Sequence, residues 1–254
     1  MSLVINKLKP FAAFCFLACF LFSGCSGPAA DESGAIVVAA ASDMARIGPA
    51  LQVAFRRLHG YEVTFSFGAS GQLAEQVRQG APFDVYAPAA RSYCESVQQA
   101  GLLEGECTAF ALGHLVAWSR DTTIRSLAEL RDTNLRIALA NPSYAPYGLA
   151  ARQALESAGL WDALQPQILY ADSVAHAFQM ATTGNADVAL VAKSLVRDEG
   201  GNALDVDPSL HQPIEQVAAV LQSSAKKDAA RAFVAYLAGP ESRRILETYG
   251  FGHP

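Results

Sequence analysis

Four short segments place small or hydroxylated residues where a predicted strand gives way to a predicted helix. They are residues 41–43, 69–71, 146–148 and 172–174, and none of them contains Lys or Arg. The first N–H groups of a helix have no acceptor within the helix, and they lie at the positive end of its dipole. Several such helix ends, if they meet, can bind an anion without a cationic side chain. These segments therefore predict an anion site built from neutral donors.

Side chains in the same segments add to these backbone donors. Ser42, Ser70 and Tyr147 supply hydroxyl groups. Serine is a common helix cap, so the hypothesis depends on all four segments together. The carboxylate of Asp43 would repel an anion. We expect it to turn outward, toward the N–H groups of its own helix, and to offer only its backbone to the site.

The elements that would position these residues alternate between strand and helix. Short apolar runs, several of them rich in β-branched residues, predict strands, and helical spacing of apolar residues follows most of them. This alternation predicts an α/β fold in which helices flank mixed, mostly parallel sheets. The predicted strands are residues 36–41, 63–67, 84–87, 115–119, 135–140, 167–170, 188–192 and 214–221.

Two similar α/β halves follow each other without a Pro- or Ser-rich linker. We expect two lobes joined by crossing strands. Residues 35–113 and 214–254 would form lobe 1, and residues 114–213 would form lobe 2. A ligand would lie in the cleft between the lobes, at the carboxyl ends of the strands.

The N-terminus has the pattern of an export signal. An apolar run at residues 11–22 follows two lysines and is too short to span a membrane comfortably. Ser23-Gly24-Cys25 then resembles a bacterial lipobox, which predicts a signal peptide at residues 1–24 and lipidation of Cys25. Residues 25–34 would be a polar tether. The alternative is an ordinary signal peptide cleaved near residues 29–30, and both versions predict export.

Two of the five cysteines, Cys94 and Cys107, lie beyond the signal and the lipobox. An exported protein can form a disulfide between them, which would stabilise the fold by about 2–4 kcal/mol. The alternative is two separate thiols. Their spacing does not match a zinc site.

Composition excludes some functions. The chain has 254 residues, a formal net charge of -5 and few clustered basic residues, which argues against binding to nucleic acid. The sequence has no GxxxxGK[ST] loop, so an ATPase would have to be a separate chain. We expect a monomer.

From residue 36 to residue 251 the sequence resembles the molybdate-binding proteins of ABC importers, the ModA family. The order and spacing of the matching segments carry this resemblance. The segments are residues 39–42, 68–71, 80–85, 141–142, 145–148, 236–240 and 249–251.

The resemblance implies a two-lobed periplasmic-binding-protein fold of type II. It implies capture of molybdate, and of tungstate, without catalysis, cofactor or any metal apart from the oxyanion. The partners would be an ABC permease and its ATPase, and the protein would lie in the periplasm or cell envelope, anchored to the membrane by its lipid. The residues implied to hold the anion are Ser42, Asp43 through its backbone, Ser70, Tyr147 and Val174.

One departure concerns a tyrosine. A branch of the family carries a tyrosine just after the strand that ends here at Val191, where this chain has Ala192. Another branch has the tyrosine in an Ala-Pro-Tyr-Gly turn, as Tyr147 is here. The chain therefore resembles the second branch, and Ala192 leaves the choice of anion open.

Three alternatives remain. The ligand is another oxyanion, such as sulfate or phosphate. It is ferric iron, held by Tyr144 and Tyr147, although iron favours several hard anionic ligands. Or the chain is a serine hydrolase with Ser70 as nucleophile, although Gln72 stands where a nucleophile elbow has glycine.

Overall fold

A computed structural model describes residues 34–132 and 134–254, in which ten strands form two five-stranded sheets. The predicted signal peptide, Cys25 and all but the last residue of the predicted tether lie outside this range. In chain order the strands are β1 (Ile36–Ala41), β2 (Val63–Gly68), β3 (Val85–Ala87), β4 (Leu103–Gly113), β5 (Leu115–Ser119), β6 (Ile137–Ala140), β7 (Ile168–Ala171), β8 (Val188–Ala192), β9 (Asn202–Asp205) and β10 (Ile214–Leu221).

Helices connect and flank these strands. They are α1 (Gly48–His59), α2 (Ser70–Arg78), α3 (Arg91–Gln99), α4 (Pro146–Ser157), α5 (Trp161–Leu164), α6 (Val174–Thr182), α7 (Lys193–Val196), α8 (Lys227–Leu237) and α9 (Pro240–Thr248). A short 3-10 turn, Ser42–Met44, follows β1 directly. Within the described ranges, no helix is long and apolar enough to cross a membrane.

The two sheets define two lobes. In lobe 1 the strand order is β2-β1-β3-β10-β4, and in lobe 2 it is β7-β6-β8-β5-β9. Each sheet is mixed. In lobe 1, β1 pairs in parallel with β2 and β3, and β10 runs antiparallel to β3 and β4. In lobe 2, β6 is parallel to β7 and β8, while β5 is antiparallel to β8 and β9. The expected two-lobed α/β fold with mixed sheets is confirmed.

The chain crosses between the lobes twice. It leaves lobe 1 at the end of β4 and enters β5 after the single residue His114. It returns from β9 to β10, which lies between β3 and β4 in the lobe 1 sheet. These two neighbouring crossings hold the lobes together at one side.

Both lobes bury apolar side chains on the faces of their sheets. In lobe 1, Phe55 of α1 packs edge-on against Phe233 of α8 at a ring distance of 5.0 Å. On the other face, Cys94 of α3 and Cys107 of β4 form a disulfide with their Cα atoms 6.1 Å apart. Lobe 2 has its own core, which includes Trp118.

The helix after β1 differs from the sequence expectation. The helical spacing of Ile47, Leu51, Phe55 and Leu58 forms an apolar stripe that predicts one helix over residues 44–58. The chain instead first makes the 3-10 turn, and α1 begins at Gly48. Ile47, Leu51 and Phe55 are fully buried, whereas Leu58 is 46% exposed. The stripe ends early because Leu58 lies in the last turn of the helix, beyond the edge of the core.

Candidate functional site

The four turn segments meet where the lobes face each other. They follow the carboxyl ends of β1, β2, β6 and β7. A small cavity lies among them. The volume that the centre of a water molecule can occupy in it is about 10 Å³, which is room for about one water. The residues that line this cavity are Ala41, Ser42, Asp43, Gly68, Ala69, Ser70, Ala89, Ala145, Pro146, Tyr147 and Val174. The structure thus brings the five candidate site residues together.

Ser70 is the first residue of α2 and is fully buried. Its hydroxyl accepts a hydrogen bond from the N–H of Ala89 at 3.0 Å, and its carbonyl accepts one from the hydroxyl of Tyr86 at 2.7 Å. A serine hydroxyl has one proton to donate besides its two lone pairs. These two contacts hold Ser70 in place and leave its hydroxyl proton free to donate to another group.

Ser42 makes a similar contact across the lobes. Its hydroxyl accepts a hydrogen bond from the N–H of Ala175, in the first turn of α6, at 3.3 Å. Val174 is the first residue of α6, and the N-cap Ser173 accepts from the N–H of His176 at 3.2 Å. Two of the first-turn N–H groups therefore have side-chain acceptors, and Val174 lines the cavity.

The carboxyl group of Asp43 is not turned outward, so that expectation is wrong. Asp43 is fully buried, and its Oδ2 accepts a hydrogen bond from Nε2 of Gln216 in β10 at 2.7 Å. Burial raises the pKa of Asp43 to about 7. The side chains of Tyr147 and Gln216 and the backbone N–H groups of Asp43 and Met44 act in the opposite direction, because they favour the ionised carboxylate and lower the pKa. The carboxyl does approach the backbone of its own turn, but the returning strand β10 covers it.

Tyr147 is the second residue of α4, so its backbone N–H is one of the first-turn donors. Its phenol reaches into lobe 1. A Cβ on Gly113, at the end of β4, would lie 2.1 Å from the Tyr147 hydroxyl. Burial, and then the neighbouring Asp43, raise the phenol pKa well above its usual value. The hydroxyl and Asp43 Oδ1 are neighbours, but neither has a hydrogen-bond partner of good geometry.

Ala192 ends β8 and is fully buried. The following Lys193 forms an ion pair with Asp205 at 2.8 Å. None of the residues that line the cavity is Lys, Arg or His. Within the described part of the chain, the donors at this site are therefore uncharged.

Further hydrogen bonds join the lobes around the cavity. The hydroxyl of Ser194 in α7 donates to the Asp43 carbonyl at 2.7 Å, and the N–H of Gly71 in α2 donates to the Tyr144 carbonyl at 2.9 Å. Arg46 of lobe 1 also pairs with Glu199 of lobe 2. Because these bonds are formed, the two lobes are in direct contact around the cavity, which is a closed arrangement of the lobes.

A larger groove of about 580 Å³ opens beside the cavity and shares Ala89, Ala145 and Pro146 with it. Its lining is mainly apolar. Its one arginine, Arg91, is paired with Glu215 at 2.7 Å. The groove therefore lacks the convergent donors that mark the small cavity.

Neither of the other two chemistries finds support at this site. Ser70 has a backbone N–H at its hydroxyl, and the cavity lining holds no histidine to act as a base. Across the described ranges, no group of three or more His, Cys, Asp or Glu is placed to hold a metal ion. The phenol of Tyr147 is enclosed beside Gly113, and Tyr144 contacts Gly71 through its carbonyl.

Three residues behind the site were not predicted from the sequence. Gln216 and Gly113 lie beside the phenol of Tyr147, and the hydroxyl of Tyr86 donates a hydrogen bond to the Ser70 carbonyl. A signal existed only for Gln216, which is a polar residue inside the otherwise buried strand β10. Nothing in the sequence shows that these residues come together.

Comparisons with known proteins agree with this architecture. The family of bacterial extracellular solute-binding proteins matches residues 36–252. The molybdate-binding protein ModA of Rhodobacter capsulatus is 34% identical over 235 residues, which is 91% of this chain and 92% of that relative. ModA of Mycobacterium tuberculosis (strain H37Rv) is 34% identical over 246 residues, covering 94% of this chain and 93% of that relative.

A solved structure shows the same likeness in three dimensions. The periplasmic molybdate-binding protein of Azotobacter vinelandii superposes with a TM-score of 0.81 at 30% sequence identity, covering 86% of this chain and 99% of that one. The likeness therefore includes both lobes and the cleft between them.

Proposed function

We propose that this chain, which belongs to the bacterial extracellular solute-binding proteins and within them to the ModA family, captures molybdate for an ABC importer. The observation that carries the proposal is the convergence of uncharged donors from both lobes on one closed cavity. Tungstate, which has the same charge and nearly the same size, would bind at the same place.

Two kinds of donor would hold the oxyanion. The hydroxyl groups of Ser42 and Ser70 already accept from backbone N–H groups, so their own protons are left for the ligand. The backbone N–H groups at the starts of α2, α4 and α6 add the positive ends of three helix dipoles. Ser70, Tyr147 and Val174 would donate in this way, and Ser42 and Asp43 would donate from the 3-10 turn.

Selectivity would follow from donor spacing. A smaller anion such as sulfate would leave some of the donors too far from its oxygens. Each buried donor without a partner costs about 1–3 kcal/mol, so losing two or three contacts would separate the anions strongly.

Ligand entry requires the lobes to open, because the donors surround the cavity on both sides. Binding would favour the closed state, since only that state brings donors of both lobes to the same anion. The two crossings near His114 and β10 would be the hinge of this movement.

Delivery would need other chains. The closed protein would dock on a membrane permease served by a separate ATPase. We propose that Cys25 carries a lipid that keeps the protein at the membrane surface, and that the protein acts as a monomer.

Calorimetric titration of the soluble chain without the lipid anchor, residues 26–254, tests this function. Molybdate, tungstate, sulfate and phosphate are added in turn, and we expect tight binding of the first two only. Binding of sulfate or phosphate alone would keep the importer assignment and change the ligand. Absence of heat from all four anions would contradict an oxyanion-binding function.

A further inference from the structure

One contact between the lobes lies directly beside the anion cavity. The loop of residues 141–145 in lobe 2 rests on the first turn of α2 in lobe 1. The N–H of Gly71 donates to the Tyr144 carbonyl at 2.9 Å, and the hydroxyl of Tyr93 in α3 donates to the Ser143 carbonyl at 3.2 Å. Lobe 1 thus binds two consecutive backbone carbonyls of lobe 2.

This contact is closer than any other residue at position 71 would allow. A Cβ on Gly71 would lie 2.8 Å from Cβ and 3.0 Å from Cα of Tyr144, and 2.9 Å from Cε1 of Tyr93. Gly71 lies within α2 and does not have a positive φ, so its backbone conformation does not require glycine. The close approach of the other lobe does.

The position of the contact links it to the ligand donors. Gly71 directly follows Ser70, and Tyr144 lies three residues before Tyr147. The bond between Gly71 and Tyr144 therefore sets how far the Ser70 donors lie from the N–H of Tyr147 across the cavity. The N–H of Gly71 is used by Tyr144, so Gly71 does not itself hold the anion.

We propose that Gly71 is a positioning residue that sets the distance between the lobes in the closed state, with Tyr93 as its support. This inference rests on the proposed function, because its consequence is measured on a bound oxyanion. A side chain at position 71 props the lobes apart at this edge, and donors of the two lobes no longer reach the same anion together.

Replacing Gly71 by alanine tests the inference through binding kinetics. Forcing a methyl group into a packed contact costs enough to raise the molybdate dissociation rate of the mature protein at least about tenfold. The association rate, which depends on the open state, stays within about twofold of the wild type. The melting temperature without ligand does not fall, since alanine favours a helix over glycine.

A matched control separates this effect from a general glycine effect. Gly200 has no atom within 4 Å of its Cβ position and no positive φ. Gly200→Ala leaves the association and dissociation rates unchanged. A second variant, Tyr93→Phe, removes only the hydroxyl bond to Ser143 and raises the dissociation rate about two- to tenfold.

Unchanged dissociation in both Gly71→Ala and Tyr93→Phe overturns the inference and leaves the proposed function intact. The inference is also overturned if Gly71→Ala lowers the association rate or the melting temperature while Tyr93→Phe has the dissociation rate of the wild type. Spin labels at the exposed positions Val53 of lobe 1 and Tyr170 of lobe 2 provide a measurement that needs no ligand. If the wild type binds no anion, the proposed function fails, and identical distance distributions in the wild type and Gly71→Ala then reject the inference as well.

Discussion

Two serine hydroxyls at the cavity each accept a hydrogen bond from a backbone N–H group, Ser70 from Ala89 and Ser42 from Ala175. One lone pair of each serine oxygen is thus taken up by a backbone N–H group, and the hydroxyl proton remains available to another acceptor. Because Ser70 is fully buried, an anion that accepts this proton meets no competition from bulk water.

Ser70→Ala should weaken molybdate binding at least about tenfold, because one good hydrogen bond to a charged ligand is lost. Calorimetric titration measures this loss. The exposed Ser223 offers a matched control, since Ser223→Ala removes the same atom far from the cavity. Equal affinity in wild type and Ser70→Ala would remove this hydroxyl from the site.

Asp43 predicts a pH effect on stability. Burial raises its pKa from 3.8 to about 7 in the folded protein. Between these two values the folded state keeps a proton that the unfolded state has lost, so unfolding releases a proton. The contribution of Asp43 to the free energy of unfolding is therefore largest below about pH 4, declines as the pH rises to about 7, and is constant above that.

Asp43→Asn removes this titration and keeps an acceptor for Gln216. At pH 8 we expect the variant to be more stable than the wild type by on the order of 2–4 kcal/mol, and we expect the difference to shrink toward pH 4. Denaturant unfolding at several pH values measures it. A difference that does not vary with pH would show that folding does not raise the pKa of Asp43.

The sequence predicts the residues of the cavity better than it predicts the orientation of their side chains. The motif around Ser42 and Ser70 predicted which residues line the cavity, because the start of a helix after a strand has a known geometry. The orientation of Asp43 was predicted wrongly, because it depends on Gln216, which is 173 positions away in the chain. No local pattern reports such a neighbour.

At the scale of elements, α4 is placed by a glycine. A Cβ on Gly148 would lie 2.0 Å from the carbonyl oxygen of Ala140, the last residue of β6. The missing side chain lets the first turn of α4 start directly against the end of this strand. Tyr147, in this first turn, lines the cavity.

Gly148→Ala should therefore reduce the free energy of unfolding by about 1–3 kcal/mol, or more, because backbone must move to admit the methyl group. It should also weaken molybdate binding, since α4 would shift. Urea unfolding and titration measure the two effects, and Gly200→Ala is the control. Unchanged stability would mean that α4 is free to move away from β6.

The disulfide ties α3 to β4 beneath the sheet of lobe 1. Replacing both Cys94 and Cys107 by alanine should lower the free energy of unfolding by about 2–4 kcal/mol, because the unfolded chain regains the freedom of the closed loop. Adding reductant to the wild type should have a similar effect. If neither treatment changes the urea midpoint, the bridge does not form in the exported protein.

The sequence predicted the bounds of some helices and strands and did not predict others. β1, β5, β8 and β10 have the bounds expected from the sequence. β1 and β8 are continuous apolar runs, and β10 is apolar apart from Glu215 and Gln216. The sequence patterns did not predict α3, β4 or β9. The residues of α3 are mostly polar, and Glu104, Gly105 and Glu106 interrupt the apolar pattern of β4. β9 is a short edge strand that pairs with β5.

At the scale of the whole molecule, the two lobes are joined by two neighbouring crossings. Several direct contacts between the lobes near the cavity are polar, including those of Ser42, Gly71 and Ser194. Polar contacts of this kind exchange with water at little net cost. The molecule is therefore suited to open and close, with the ligand deciding between the two states.

The fold followed from the alternation of strand and helix, and its two-lobed form from the lack of a linker between similar halves. The closeness of the lobes did not follow from the sequence. It depends on contacts such as that of Gly71 with Tyr144, which join distant segments through backbone atoms. Side-chain patterns do not reveal contacts of this kind.

We predict that molybdate lies between the lobes and is held by uncharged donors. Anomalous X-ray diffraction from crystals grown with molybdate, recorded at the molybdenum absorption edge, tests it most directly. We predict one strong peak in the cavity, within hydrogen-bond reach of the hydroxyl groups of Ser42 and Ser70 and the N–H groups of Tyr147 and Val174. A strong peak elsewhere, or an empty cavity at saturating molybdate, would contradict the account.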